Sequence, residues 1–568
     1  AVDSLIGGYK WDTNGDDLTW SLYTGAVGYD DSYYSTAEYD DSVAAITDSA
    51  SVMLAFDAWD AASALNFAQV TETAGSPNTV GDIRIAYSDS MPLNQSTPDP
   101  TDRAAAFAFY PSTSSIGGDS WFDSGNVSGY TGNQTLTEGS YGYQTLLHEF
   151  GHAIGLKHPF ESGVTLPSSE DNNRYSIMSY TAGDNIYIPV DLTFTDYGNG
   201  AYSYSWSYAA MGPVTPMLYD VAAVEHLYGV STDTNTGDTT YTANINGFIT
   251  IVDSDGNDTL DASAETTDSI INLAPGSFSS IGVTTEEALA QTMIDNANFN
   301  GVTLNDAQKD SVKDYLISTF DSSIYLGQDN VSIAFSAEIE NAIGGDGNDT
   351  ITGNDLDNVL EGGKGNDLID GSGGSNTAVY SGNMSDYSID YDGSFIITDT
   401  VVGRDGTDTL SNIQHIQFAD VTYDTSMDIA YNNSDNSIVR TDKANVSLFK
   451  TTSGGYVIAD TNGTLDGSSS TDPILLMKGT KPWTAFKGDP LGLIDYGFSG
   501  FGVVSKNGTK WVEQKFYNNG NASTSTSLTL AEVLALEANF GLDLNQDGDI
   551  GDPVDDVLAT GNAKGLYK

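Results

Sequence analysis

Residues 344–379 repeat a nine-residue pattern four times: GGDGNDTIT, GNDLDNVLE, GGKGNDLID and GSGGSNTAV. Units this short have no room for a helix or a long strand. They have to stack turn upon turn to bury a shared apolar position, here Ile351, Leu360, Ile369 and Ala378. If two units make one turn of the stack, equivalent loops return every eighteen residues. Asp349 and Asp367 have that spacing, and the intervening loops carry Asn358 and Asn376 at the matching position.

GGxGxDxUx is the repeat of calcium-binding parallel β-rolls. Glycines permit the turn, the Asp supplies a carboxylate, and backbone carbonyls complete an oxygen shell. The expected calcium positions in the repeats are Gly344, Asp346 and Asp349 in one loop, and Gly362, Lys364 and Asp367 in the next. The opposite loops offer only neutral amides, so calcium occupancy should be lopsided.

The chain of 568 residues carries 79 Asp and Glu against 20 Lys and Arg, a net charge of −59. That excess excludes phosphate neutralisation of nucleic acid and disfavours an anionic membrane surface. With 39% hydrophobic residues the acidity does not imply disorder. No stretch approaches a membrane span. Cysteine is absent, which excludes disulfides and thiol chemistry together. The chain starts at Ala1 without Met, as expected after removal of a leader or propeptide, or of a truncated sequence.

Up to about residue 240 the texture is mixed α/β. Helices are expected over roughly 43–66, 142–155 and 220–228, with strands at Ile83–Tyr87, Ala104–Tyr110 and Trp121–Phe122. Two helical patterns interrupt the later Gly/Asp texture near 284–320. The first opens with Thr284 and Glu287 spaced as a capping box. They read as a packing element without visible chemistry. After about 425 come strands around Trp483 and Trp511, then a helix near 529–540.

The chemistry concentrates in HEFGHAIGLKH, residues 148–158, which holds three of the five histidines. On a helix His148 and His152 share a face one turn apart, so both imidazoles reach one ion. Glu149 lies beside them without ligating. Gly155 can take the positive φ that ends a helix, returning the chain to deliver His158 as a third ligand. Three nitrogens leave one position open, the condition for a catalytic zinc. His226 and His415 read as structural.

This window matches the metzincin signature HExxHxxGxxH at every fixed position, and Met178 in SIMSY fits the Met-turn beneath the metal. Together with PMLYDVAAVEHLYG, DSDGNDTLDAS and NAIGGDGND, these segments resemble the serralysin group of secreted bacterial metalloproteases over about residues 1–425. The resemblance implies an α+β metzincin catalytic domain followed by a parallel β-roll. It also implies that Tyr180 is a labile extra zinc ligand assisting catalysis, that Asp253 and Asp258 join the calcium positions, and that substrate adds as a strand along Ala105, Ala106, Phe107, Ala108 and Phe109.

The expected organisation is a protease domain over 1–245, a calcium-binding roll over 246–425 with a helical insertion at about 283–328, and a β-rich C-terminal accessory module over 426–568. In the module Asp543, Asn545, Asp547 and Asp549 alternate with Gly548 as in an EF-hand-like loop at 543–554, although Val554 stands where a Glu is usual. The expected function is a secreted, extracellular, monomeric zinc endopeptidase. It cleaves peptide bonds in proteins through a zinc-activated water with Glu149 as general base, uses one Zn2+ and several structural Ca2+, and binds no nucleic acid and inserts in no membrane. A calcium-binding adhesin or scaffold with an inactive metzincin domain is the alternative, against which the intact Glu149 argues.

Overall fold

The computed structural model describes residues 1–425 apart from 14, 28–42, 76–77, 89–103, 124–135, 184–185, 199–200, 243–246 and 392, and beyond 425 the backbone of strands between 429 and 528. The chain divides into two compact units, Ala1–Gly374 and Ser375–Lys568.

The first unit opens with a one-turn helix, α1 (Val2–Leu5), followed by β1 (Leu18–Leu22), α2 (Ser49–Ala61), β2 (Phe67–Gln69), β3 (Ile83–Ser88), β4 (Ala106–Ala108), β5 (Ser120–Asp123) and α3 (Tyr141–Ala153). The five strands form one sheet in the order β2-β1-β3-β5-β4, parallel except for β4, which runs antiparallel to β5 as the last strand. β3 is buried on both faces, and its Arg84 is compensated by a 2.8 Å ion pair with buried Glu72. The sheet and two helices share one apolar core. Phe56 of α2 stacks on Trp20 of β1 and on Phe150 of α3, at 4.7 and 4.1 Å between ring centres, and Trp59 Nε1 donates to Leu147 O. Each helix starts on a side-chain cap, Asp48 accepting from Ser51 N and Ser140 from Tyr143 N.

Next come a long antiparallel hairpin, β6 (Tyr187–Asp196) with β7 (Tyr202–Ala210), and helix α4 (Leu218–Tyr228). The hairpin forms a two-stranded sheet of its own.

The roll then builds from three-residue strands: β8 (Thr240–Thr242), β9 (Ile249–Ile251), β10 (Thr259–Asp261), β11 (Ile270–Asn272) and β12 (Phe278–Ser279). Helices α5 (Glu286–Asp295) and α6 (Asp306–Thr319) intervene before β13 (Val331–Ile333), β14 (Asn341–Ile343), β15 (Thr350–Thr352), β16 (Val359–Glu361) and β17 (Leu368–Asp370). Parallel pairing joins β8, β10, β14 and β16 on one side, and β11, β15 and β17 on the other. The register is the eighteen-residue return expected from the repeat, with Asn341 opposite Val359 and Thr350 opposite Leu368. The apolar positions Ile351, Leu360 and Ile369 are buried, stacked above Ile271 and Leu260.

One helix start differs from expectation. Thr285, not Thr284, caps α5, accepting from Ala288 N at 3.1 Å. The Thr284 amide is taken up instead by Leu326 O at 3.0 Å, where the two ends of the insertion meet.

In the second unit β18 (Thr377–Val379) lies parallel to β22 (His415–Gln417), which continues antiparallel into β23 (Val421–Asp424). Strands β19 (Tyr387–Tyr391), β20 (Phe395–Asp399) and β21 (Thr407–Ser411) form a meander. Arg404 clamps it with bonds to Asp399 of 2.6 and 2.7 Å. The loop 543–554, the helix near 529–540 and Trp483 lie outside the described residues.

Candidate metal centre

Helix α3 delivers His148, Glu149 and His152, all buried, from its last two turns. Gly155 follows at φ 111° beside Tyr9, where a side chain would strike the Tyr9 carbonyl. The returning chain is pinned by Lys157 N donating to Leu5 O at 2.8 Å and Gly7 N to Gly155 O at 3.2 Å. These bonds set His158 against the helix.

Their ring nitrogens decide whether the three imidazoles suit a metal. Each Nδ1 donates to a fixed acceptor: His148 to Ile177 O at 2.9 Å, His152 to Leu156 O at 2.7 Å, and His158 to Glu161 Oε1 at 2.6 Å. A proton held on Nδ1 leaves Nε2 with its lone pair free. Those lone pairs face one another, with His158 Nε2 3.2 Å from His148 Nε2 and 3.1 Å from His152 Nε2. Nitrogens held about 2.0–2.1 Å from one tetrahedral zinc would be about 3.3 Å apart. The cluster therefore fits the ion, and among the described residues it is the one group of three or more His, Asp or Glu side chains placed to hold a metal.

Burial keeps the rings neutral. It lowers His148 to about 3 and holds His152 well below its ordinary value, with repulsion between neighbouring imidazoles adding to both. His158 is lowered too, again chiefly by burial, against the pull of Glu161. Burial alone pushes the Glu149 carboxyl up to about 8, and its Oε2 has no hydrogen-bond partner.

Beneath the cluster Met178 is fully buried, and its sulfur fills the space a side chain at Gly151 would need: a Cβ there would lie 2.5 Å from Sδ. Asp220 of α4 holds this turn. It accepts from Ser176 Oγ at 2.6 Å, Ile177 N at 2.7 Å and Met217 N at 2.9 Å. Ile177 in turn presents the carbonyl that orients His148. Tyr180 lies exposed at the rim, its ring centre 4.4 Å from that of His158 and 5.6 Å from that of His148.

A cavity of about 550 Å³ opens beside His148 and Glu149. Ala105 and Ala106 line one wall, and Ile186, Tyr187 and Met211 are among the residues of the hairpin root that line it. Of the other proposed substrate residues, Phe107 and Phe109 pack with Trp121 and Ala86, while Ala108 pairs with Ser120 of β5. His226 lies on α4 and His415 in β22, neither in the metal cluster.

In the roll the expected calcium carboxylates line up on successive turns. Asp349 accepts from Gly345 N and Ser269 N, both at 2.6 Å, and Asp367 from Asp349 N at 2.8 Å. Asp258 accepts from Thr239 N at 2.7 Å and Asp253 from Tyr241 Oη at 2.5 Å. Asp346 is bridged by Lys364 one turn on, at 2.7 and 2.8 Å, so a cation already sits on that carboxylate. Gly344 and Gly362 open the two loops. The opposite side uses amides: Asn358 Nδ2 donates to Glu340 O at 2.9 Å, and Asn354 Nδ2 to Ile339 O at 2.8 Å.

A family model described as Matrixin matches residues 29–180, and one described as RTX calcium-binding nonapeptide repeat (4 copies) matches residues 343–378. The chain is thus similar to matrixin peptidase domains over the first stretch and to RTX repeats over the second. A matrixin domain implies a catalytic zinc and RTX repeats imply calcium. Among similar curated proteins, Serralysin of Proteus mirabilis is 33% identical over 288 residues, 46% of each chain. Metallopeptidase AprA of Pseudomonas marginalis is 34% identical over 283 residues, 46% of this chain and 47% of the relative. Serralysin of Photorhabdus luminescens is 27% identical over 389 residues, 64% of each chain. The chain thus spans about half the length of the first of these relatives.

Two supports of the histidine cluster were not anticipated from sequence. Glu161 stands three residues after a histidine in a turn, a weak local cue. Asp220 is the lone carboxylate in the apolar start of α4; besides the nearby Met217 amide, its partners Ser176 and Ile177 lie more than forty residues upstream.

Proposed function

We propose that the protein is a secreted zinc-dependent endopeptidase that hydrolyses peptide bonds in proteins, with the protease domain at 1–245, the roll at 246–425 and an accessory module beyond. One observation carries this reading: three neutral imidazoles converge through Nε2 while a buried carboxylate with a free oxygen stands beside them. Zinc held by His148, His152 and His158 would supply Lewis acidity toward a scissile carbonyl and an attacking water. Glu149 takes the proton of that water and returns it to the leaving amine, and the proton affinity that burial gives its carboxyl suits the task. The Tyr180 hydroxyl, protonated at neutral pH, donates to the oxyanion as it forms. Substrate backbone adds as a strand to the edge of β4, along Ala105–Phe109. The relatives' names, serralysin and metallopeptidase, support the same class.

The test is casein hydrolysis by purified protein with its metal content counted. We expect one zinc per chain and an activity that Glu149→Gln lowers at least about a thousandfold with zinc retained. Full activity of that variant at normal zinc content would refute the general-base role. A wild-type protein with zinc and no hydrolysis of any peptide would refute the peptidase.

A further inference from the structure

The hairpin β6–β7 raises a stability question. Two strands alone are marginal in water, and among the described residues no third strand joins these two. What supports them is the insertion in the roll, almost a hundred residues later in the chain. Leu192 and Phe194 of β6 form one core with Ala290, Met293 and Ile294 of α5 and with Leu304, Val312 and Leu316. Tyr204 and Trp206 of β7 pack on the same cluster.

The edge of β6 is also tied at two heights. Midway, Phe194 N donates to Asn298 O at 2.8 Å, Asn298 N to Leu192 O at 2.9 Å, and Asn300 Nδ2 to Phe194 O at 2.9 Å. At the root, Ile186 N and Tyr187 N donate to Ser323 O at 3.0 and 2.9 Å, and Tyr325 N to Tyr187 O at 2.8 Å. Tyr325 is buried with Ile186, Met217 and Phe248, and Met211 packs against them. Ile186, Tyr187 and Met211 are also cleft-lining residues. The insertion thus reaches the wall of the cleft through the hairpin root.

We propose that the insertion 283–328 is a specificity element: by fixing the root of the β6–β7 hairpin it shapes the cleft wall of Ile186, Tyr187 and Met211, and so selects which uncharged side chain of a peptide substrate is accepted beside the scissile bond. The proposal rests on the endopeptidase reading above. The insertion's residues act through the wall and are positioning residues. The insertion is also removable in principle. β12 and β13 pair antiparallel, Ser279 opposite Val331, and Thr284 N meets Leu326 O across the neck.

Two full-length variants test it: the double substitution Ile294→Ala with Leu316→Ala, and replacement of residues 285–325 by a short Gly-Ser linker. Hydrogen exchange followed by mass spectrometry reads the brace without requiring activity. We expect exchange at 186–188 and 202–211 to rise about tenfold or more, with helix α3 and the zinc count unchanged. With peptide substrates spanning the cleft, KM should rise about fivefold while kcat changes less than about twofold. The cleavage-site profile on a denatured protein should broaden. Unchanged exchange at the hairpin root in both variants overturns the brace. Faster exchange with unchanged KM and profile overturns the specificity role. If the linker variant also loses protection in α3, the double substitution decides. A wild-type protein that cleaves nothing sinks the peptidase reading, and the specificity claim with it, while the exchange data still judge the brace.

Discussion

Replacing Asp220 tests whether the turn under the metal centre is held from helix α4. Its carboxylate accepts from two backbone amides, Ile177 N and Met217 N, and from the Ser176 hydroxyl, all buried. In Asp220→Ala the hydroxyl can rotate to another acceptor, but the two amides cannot. At about 1–3 kcal/mol for each buried donor left unsatisfied, the expected loss is about 2–6 kcal/mol. Ile177 would move, and with it the carbonyl that orients His148, so zinc affinity should fall about 10–100-fold. Asp220→Asn keeps an oxygen for the two amides and offers its Nδ2 to Ser176 Oγ, so it should cost far less.

The Asn variant also isolates a pH effect. Burial, partly offset by the three donors, pushes the Asp220 carboxyl up to about 7. An unfolded Asp titrates near pH 4. Between these values the folded state holds a proton that the unfolded state has released, so stability falls as pH rises from about 4 to about 7. The full effect of such a shift is about 4 kcal/mol. Asn does not titrate, so the advantage of wild type over Asp220→Asn should shrink across that window. Urea unfolding of both proteins followed by tryptophan fluorescence at pH 4.5, 5.5, 6.5 and 7.5 reads the difference, in which the contribution of the roll cancels. A constant difference across pH, or an Ala variant within about 0.5 kcal/mol of wild type, would refute the reasoning.

Glu161→Ala frees His158 Nδ1 and should weaken zinc binding about tenfold, with Glu161→Gln between it and wild type, as read by competition with a chromogenic chelator. Gly151→Ala sets a methyl against Met178 Sδ and Trp59 and should lower stability by about 1–3 kcal/mol; an unchanged melting temperature counts against a tightly packed Met-turn. Calcium withdrawal should speed exchange at Gly345 and Asp349, where aligned carboxylates repel once the cation leaves, and should spare Asn354, whose loop is tied by amide donors. Equal loss of protection at Gly345 and Asn354 would contradict that asymmetry.

What could be read from the sequence follows the distance between interacting residues. His148 and His152 are one helical turn apart and His158 follows a glycine stop, so the spacing contains the geometry and the cluster forms as expected. The roll is legible for a similar reason: a nine-residue period fixes its own register, and Ile351 stacks over Ile369 without help from the rest of the chain. Asp220 caps its own helix start through the Met217 amide, yet it also acts across forty-three residues on Ile177, and nothing in its own neighbourhood shows that it holds that distant amide and the Ser176 hydroxyl. The insertion was legible as two amphipathic helices, yet helical periodicity reports only that one face is apolar. The face that receives it comes from Leu192, Phe194 and the aromatic residues of β7, which alternate as any half-buried strand would. Periodic patterns reveal that surfaces need partners and leave the pairing to the fold. A metal site therefore announces its ligands in sequence, while the groups that aim those ligands, and the wall that selects what they meet, emerge only when distant segments are packed together.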